Sequence, residues 1–123
     1  MEQPSPSIRR GDVFWISEAD ANPEANYAHP YVVVQEDVFN QSRIATVIVC
    51  ALTSNLNLAT EPGNVLLDPD EGNLPKRSVL VVSQVSSVEK TELGDYIGKL
   101  SAERVAQVLA GLRFQQASFF GDR

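Results

Sequence analysis

Histidine, cysteine, methionine and tryptophan each occur once in the 123 residues, and the first two scarcities exclude whole classes of chemistry. A lone cysteine cannot form an internal disulfide. Cys50 lies within the apolar run Thr46–Leu52, the setting of a small buried hydrophobe in a reducing compartment, so the cytoplasm is the expected location. One histidine, one cysteine and no carboxylates at ligand spacing beyond the acidic turn Asp68-Pro69-Asp70-Glu71 leave no expected metal site. No glycine-rich loop follows a strand and opens a helix, so no nucleotide cofactor is expected, and none of any other kind. No apolar run approaches the roughly 20 residues that span a bilayer. Met1–Ser7 is polar, carries two prolines and has no hydrophobic h-region, so it reads as a frayed tail and not a signal peptide. Positive charge is short as well. Ten Lys and Arg face sixteen Asp and Glu, for a net charge of −6. That balance counts against a general nucleic-acid binder, which gains affinity by neutralising phosphates, but it permits a local basic groove.

What is present suits one globular domain. Hydrophobic residues make up 43% and charged residues 21%, enough for a single core and too short a chain for two. The reading is a flexible tail over 1–8 and a single domain over 9–120. Acidic residues gather at Glu18–Glu24, Glu61 and Asp68–Glu71, while Arg9, Arg10, Lys76 and Arg77 stand apart from them.

The elements follow from turn residues and β-branched runs. Gly11-Asp12 starts a strand over Val13–Ser17. Glu18–His29 lacks periodicity and reads as a long loop, with Glu18–Ala28 expected to be the most mobile segment. Pro30 opens a strand over Tyr31–Gln35, apolar on both faces. Glu36–Ser42 reads as a turn, with room for one turn of helix. Arg43–Leu52 is a third strand, and Thr53–Gly63 a second polar loop, expected to be nearly as mobile as the first. Asn64–Leu67 is a brief strand, Asp68–Pro75 a turn, Ser78–Val85 the longest strand, Thr91–Asp95 a single turn and Ile97–Leu100 a short edge strand. Ser101 is placed to cap one long helix over Ser101–Phe119, with Glu103 in its first turn. Val105, Val108, Leu109, Leu112 and Phe119 form its packing stripe, and Ala110 and Phe114 lie roughly opposite. Val32, Val34, Val49, Val79, Val105, Leu109 and Leu112 are the expected core. Strands in succession with one terminal helix predict a mainly β fold, a bent antiparallel sheet or SH3-like small barrel with the helix across it.

Few residues here carry chemistry. His29 is the sole imidazole, the one side chain that exchanges protons near neutrality without perturbation. The competing reading is a turn histidine bonded to a nearby carbonyl. Thr53 and Ser54 end a strand, where hydroxyls often bond local backbone. If they share an edge with His29, hydroxyl and imidazole groups converge on one concavity.

The order of these segments resembles the MazF/PemK toxins, the endoribonucleases of type II toxin–antitoxin modules. Arg10-Gly11-Asp12-Val13 matches the family's first strand, His29-Pro30 with Val32-Val33-Val34 its second, and Asn40 an asparagine after it. Leu52-Thr53-Ser54 matches the end of the third strand, Leu74–Val79 with Gln84 the segment that leads into and along the long strand, and Ile97–Leu100 the motif before the helix. The match spans roughly Arg9 to Leu112. It implies an SH3-like barrel of the MazF/PemK/CcdB type and metal-independent cleavage of single-stranded RNA. Implied partners are that RNA, a second copy of the chain in a homodimer, and a cognate antitoxin with a disordered acidic C-terminal segment, with no membrane. Thr53 matches a functional position as it stands. The family's arginine before the second-strand proline is His29 here, and the acidic residue some members place before the glutamine is Ser83. The site expected on this resemblance has His29 and Thr53 as catalytic groups and Arg10, Asn40, Ser54 and Gln84 as RNA contacts, with Arg10 close to His29. The alternative reading is a catalytically weakened barrel of the same kind that binds RNA or inhibits a protein, as CcdB-type toxins do.

Overall fold

The computed structural model describes residues 7–17 and 28–120, the last three as backbone only. Six strands form one sheet: β1 (Asp12–Ser17), β2 (Ala28–Val33), β3 (Thr46–Thr53), β4 (Val65–Leu67), β5 (Ser78–Glu89) and β6 (Leu93–Lys99). A four-residue helix, α1 (Asp37–Asn40), follows β2, and the long helix α2 (Ala102–Phe120) closes the chain. Strand order is β4-β5-β3-β2-β1-β6, and each neighbouring pair is antiparallel. This is the mainly β architecture with one long C-terminal helix that the strand succession predicts. No described helix is long and apolar enough to cross a membrane.

Period-two alternation sorts the apolar side chains onto two faces. Val13, Val32, Cys50, Leu52, Leu67 and Leu80 belong to one cluster, which Val108 of α2 covers, with Val105 and Leu112 packed alongside. Phe14, Ile16, Val33, Val47 and Val49 form the second, on the opposite face, joined by Ile8, Tyr31, Val88 and Leu93. Phe14 also meets Tyr96 of β6 edge-to-face, with ring centroids 5.7 Å apart. Of the expected core residues, Val32, Val34, Val49 and Val79 are buried, while Val105, Leu109 and Leu112 are half-buried. A helix lying across a sheet presents only its central line, here Val108, to full enclosure. Phe114 and Ala110 are exposed, as the stripe requires. Ile8, assigned on sequence to the tail, packs against the second cluster.

The bent sheet is closed at its edges by the turn after β4. Asn73 donates through Nδ2 to the Ile97 carbonyl of β6 at 2.9 Å. Gly98 lies so close to the Gly72 carbonyl that no side chain fits there. Arg104 of α2 clamps the same turn, with Nη2 at 2.7 Å and Nε at 2.9 Å from the two oxygens of Glu71. Hydrogen bonding from Arg104 holds the Glu71 carboxyl below its usual range. Ser101 caps α2 as expected, accepting from the Arg104 amide at 3.2 Å.

Several boundaries move. β2 begins at Ala28, three residues before the expected start, because β1 recruits Ala28–Pro30 through the pairs Ser17↔Ala28, Ile16↔His29 and Trp15↔Pro30. Proline is tolerated there because the pairing with β3 starts only at Tyr31, leaving one side of the strand open at Pro30. β5 runs on to Glu89, since Val47↔Val88 and Thr46↔Glu89 extend its ladder against β3. The 53–63 segment is not an irregular loop. Leu56–Thr60 is a turn of 3-10 helix whose first turn is capped by Asn55, with Oδ1 accepting the Asn57 amide at 3.2 Å. The expected mobile loop, save Ala28, and the side chain of Phe119 lie outside the described residues.

Candidate active site

The β2–β3 ladder sets the two expected catalytic residues at the same end of the sheet, each two residues beyond its last pair. Its register, Val33↔Val49, Val32↔Cys50 and Tyr31↔Ala51, carried on by two residues sets Thr53 opposite His29. Residues directly opposite share a face. Tyr31 and Val33 face the second cluster, as does Ile16, the β1 partner of His29. Alternation therefore places His29 and Thr53 on the sheet face away from α2. His29 is exposed and Thr53 half-buried. Thr53 Oγ1 accepts the Asn55 amide at 3.1 Å, which fixes the hydroxyl while leaving its hydrogen available to another acceptor.

β5 arrives at the same end. Thr53 pairs with Val79, so the chain just before β5, Lys76-Arg77, borders the end of β3. Both residues are exposed, and among the described residues neither side chain has a hydrogen-bond or ion-pair partner. Ser54 follows Thr53 and is exposed. Gln84 is exposed too. It belongs to the bulge that lies across from Ala51, between the pairs Cys50↔Val85 and Leu52↔Leu80.

Arg10 and Asn40 are not at this end. Arg10 precedes β1, and its Nε donates to the Val34 carbonyl at 2.9 Å, beyond the far end of β2. Five residues of strand, about 17 Å, separate Val34 from His29. The expected approach of Arg10 to His29 is thus corrected: the antiparallel β1–β2 register sends the two to opposite ends. The Arg10 amide donates to Asp37 Oδ1 at 2.7 Å and holds that carboxyl below its usual range. Asn40 is buried, its Nδ2 donating to the Gln35 carbonyl at 2.8 Å and to Asp37 Oδ1 at 3.1 Å, while its Oδ1 accepts from Gln35 Nε2 at 2.9 Å. Those bonds shape the α1 turn and leave Asn40 little capacity for a ligand. A concavity of about 660 Å³ lies between Ile8, Phe14, the 40–45 segment and the start of β6.

Cys50 is chemically quiet. It is fully buried, its Sγ donates to the Val81 carbonyl at 3.0 Å, and desolvation pushes the thiol up to about 12. Among the described residues no three His, Cys, Asp or Glu side chains gather as a metal site would require.

Comparison with known proteins supplies the family. The model of the PemK-like, MazF-like toxin of type II toxin-antitoxin systems matches residues 9–115. The chain belongs to this family. Endoribonuclease MazF2 of Mycobacterium bovis is 38% identical over 110 residues, covering 86% of this chain and 94% of that protein. Endoribonuclease MazF6 of Mycobacterium tuberculosis matches at the same identity and coverage. Among solved structures, an endoribonuclease from a Mycobacterial species superposes with a TM-score of 0.70 at 21% identity, over 91% of this chain and 93% of that one. An endoribonuclease in complex with its cognate antitoxin, also Mycobacterial, gives 0.68 at 20%, over 89% and 92%. These likenesses establish the barrel of the MazF-like toxins. Within that barrel, this toxin places His29 and Thr53 toward one end of the sheet and its structural Arg10–Asp37–Asn40 cluster at the other. Sequence reasoning passed over Lys76 and Arg77 as site residues. The available signal was a pair of cations directly before the longest strand, between two buried anchors, Leu74 and Ser78.

Proposed function

We propose that this MazF-like toxin is an endoribonuclease that cleaves single-stranded RNA with its own side chains, His29 and Thr53 acting directly at the scissile phosphate. One observation supports the reading: the β2–β3 ladder ends at Tyr31↔Ala51, and the chain's only imidazole, two residues before Tyr31, and a strand-end hydroxyl, two residues after Ala51, both lie at that end of the sheet. The ribose 2′-oxygen attacks phosphorus, its proton leaves to a base, and the P–O5′ bond breaks as the 5′-oxygen gains a proton. The products are a 2′,3′-cyclic phosphate and a 5′-hydroxyl. His29 takes the first proton or delivers the second. Thr53, its oxygen already accepting from Asn55, donates its hydroxyl hydrogen to a non-bridging oxygen. Ser54 borders the same end, Gln84 lies in the bulge across from Ala51, and both are read as contacts to flanking nucleotides. An imidazolium does not reproduce the bidentate fork of the family's arginine, so a second source of positive charge is needed.

The toxin acts in the cytoplasm as a homodimer, and a cognate antitoxin with an acidic, disordered C-terminal segment neutralises it. Residues 9–120 form the functional domain. A two-fold pairing of an acidic 13.5 kDa chain doubles a weak basic patch into a longer groove. The test is incubation of purified protein with a long single-stranded RNA in EDTA. Cleavage that persists in EDTA and is lost in His29→Ala supports the reading. Intact RNA, or cleavage indifferent to His29→Ala, overturns it.

A further inference from the structure

We propose that Arg77 is the phosphate-binding cation of this site, supplying the guanidinium that position 29 lacks; the inference rests on the RNA-cleaving reading above. Three placements carry it. Ser78 pairs with Leu67 of the helix-side core and is itself buried, so it points toward α2. Arg77 is the residue just before β5, and the strand's alternation carried back by one residue turns it to the opposite face, the face of Val79, whose partner across the ladder is Thr53. Arg77 is then the diagonal neighbour of Thr53, about 7–8 Å away between backbones and within reach of a long side chain. His29 flanks Thr53 from the other side, through β2. On that placement the three residues fall in one row across the ends of β2 and β3 and the residue before β5.

The backbone at Arg77 is held in place. Leu74 is buried on one side of it, and on the other Ser78 Oγ donates to the Lys76 carbonyl at 3.2 Å. Four of the other described cations already hold partners. Arg10 holds the Val34 carbonyl, Arg104 holds Glu71, Lys99 lies 3.7 Å from Asp12, and Lys90 bonds the Ser42 carbonyl. Lys76 borders the same end, but it lies in the bend before the strand, one residue farther from the Thr53↔Val79 pair than Arg77. Among the described residues Arg77 is the one unpartnered guanidinium at the Thr53 end. A guanidinium there forks the two non-bridging oxygens and opposes the charge that grows on them during attack. It keeps its own proton throughout; the 2′-hydroxyl and 5′-oxygen protons move as described above.

The experiment compares the intact protein with Arg77→Ala, Arg77→Lys, His29→Arg, the His29→Arg/Arg77→Ala double variant, and Arg113→Ala as a charge-matched control on exposed helix surface. Cleavage of single-stranded RNA is measured together with binding of a 2′-deoxy-substituted, uncleavable oligonucleotide across salt concentrations. Thermal melting confirms the fold of each variant. Arg77→Ala is expected to lower kcat/KM by roughly 10-fold to 100-fold. It should also reduce the slope of log affinity against log salt by about 0.7, one phosphate contact on a single strand. Arg77→Lys should recover part of the loss. The Arg77 effect should shrink in the His29→Arg background, where a second guanidinium is present, and Arg113→Ala should leave cleavage within about twofold. A folded Arg77→Ala protein that cleaves within twofold of the parent, with an unchanged salt slope, overturns the assignment. If the parent protein itself cuts no RNA, the RNA-cleaving reading fails first, and an unchanged salt slope in Arg77→Ala then removes the inference on its own.

Discussion

Gly111→Ala sets two effects of opposite sign against each other at one position of α2. In a helix interior, alanine in place of glycine normally stabilises by about 1 kcal/mol, because glycine surrenders more backbone freedom on folding. Here an added Cβ overlaps the Gly63 carbonyl oxygen and lies 3.1 Å from its carbon and 3.2 Å from Val82 Cγ1. Neither neighbour has freedom to yield. Gly63 holds φ at +86°, and the next residue, Asn64, is tied at 2.9 Å to the Leu58 carbonyl and at 3.0 Å to the Val82 amide. Overpacking of this kind costs about 2–3 kcal/mol at the upper part of its usual range, so the clash outweighs the propensity gain by about 1–2 kcal/mol. For a domain of this size that is a fall in Tm of roughly 4–8 °C. The control is Ala110→Gly, one residue earlier on the exposed face, where propensity acts alone and the expected loss is about 1 kcal/mol. Melting curves by circular dichroism at 222 nm measure both. The 53–63 segment that ends on Gly63 begins at Thr53, so the substitution should also depress RNA cleavage at temperatures where the fold is intact. A Gly111→Ala protein that melts above the parent refutes the argument.

Thr53→Ser should retain most cleavage while Thr53→Val loses roughly 10-fold to 100-fold, because only the hydroxyl donates to the phosphate; equal rates in initial-velocity assays of the two would exclude that role. Arg104→Gln should destabilise by about 1–2 kcal/mol near neutral pH, since it removes a two-point, charge-assisted contact with Glu71. Glu71 has a lowered folded-state pKa, so its contribution is full above the ordinary carboxylate range and is lost as pH falls through the folded value; the gap between parent and variant in urea melts should narrow as pH drops below that ordinary range. Cys50 should resist thiol reagents at pH 8 in the folded protein and react on denaturation, and rapid native-state labelling at that pH would contradict its burial.

Local chemistry was enough to foretell the elements and their faces. The β-branched runs of β2, β3 and β5, the Gly11-Asp12 turn and the Ser101 cap act within a few residues of themselves, which is why the core residues Val32, Val49 and Val79 and the exposed Phe114 were legible. So was the order of segments that marks the MazF-like toxins, and with it His29 and Thr53 as the groups to examine. Partners across the sheet were not legible. A strand's own pattern says which face a residue takes but not which residue lies beside it, because register is decided by pairing between segments far apart in the chain. Arg10 sits in the matching motif, yet the antiparallel β1–β2 ladder carries it to the Val34 end and gives it a backbone carbonyl to hold. Asn40 likewise turns inward to satisfy α1. Arg77 is separated from Thr53 by 23 intervening residues, and only the β3–β5 register, Thr53↔Val79, brings its backbone to the strand end that carries Thr53.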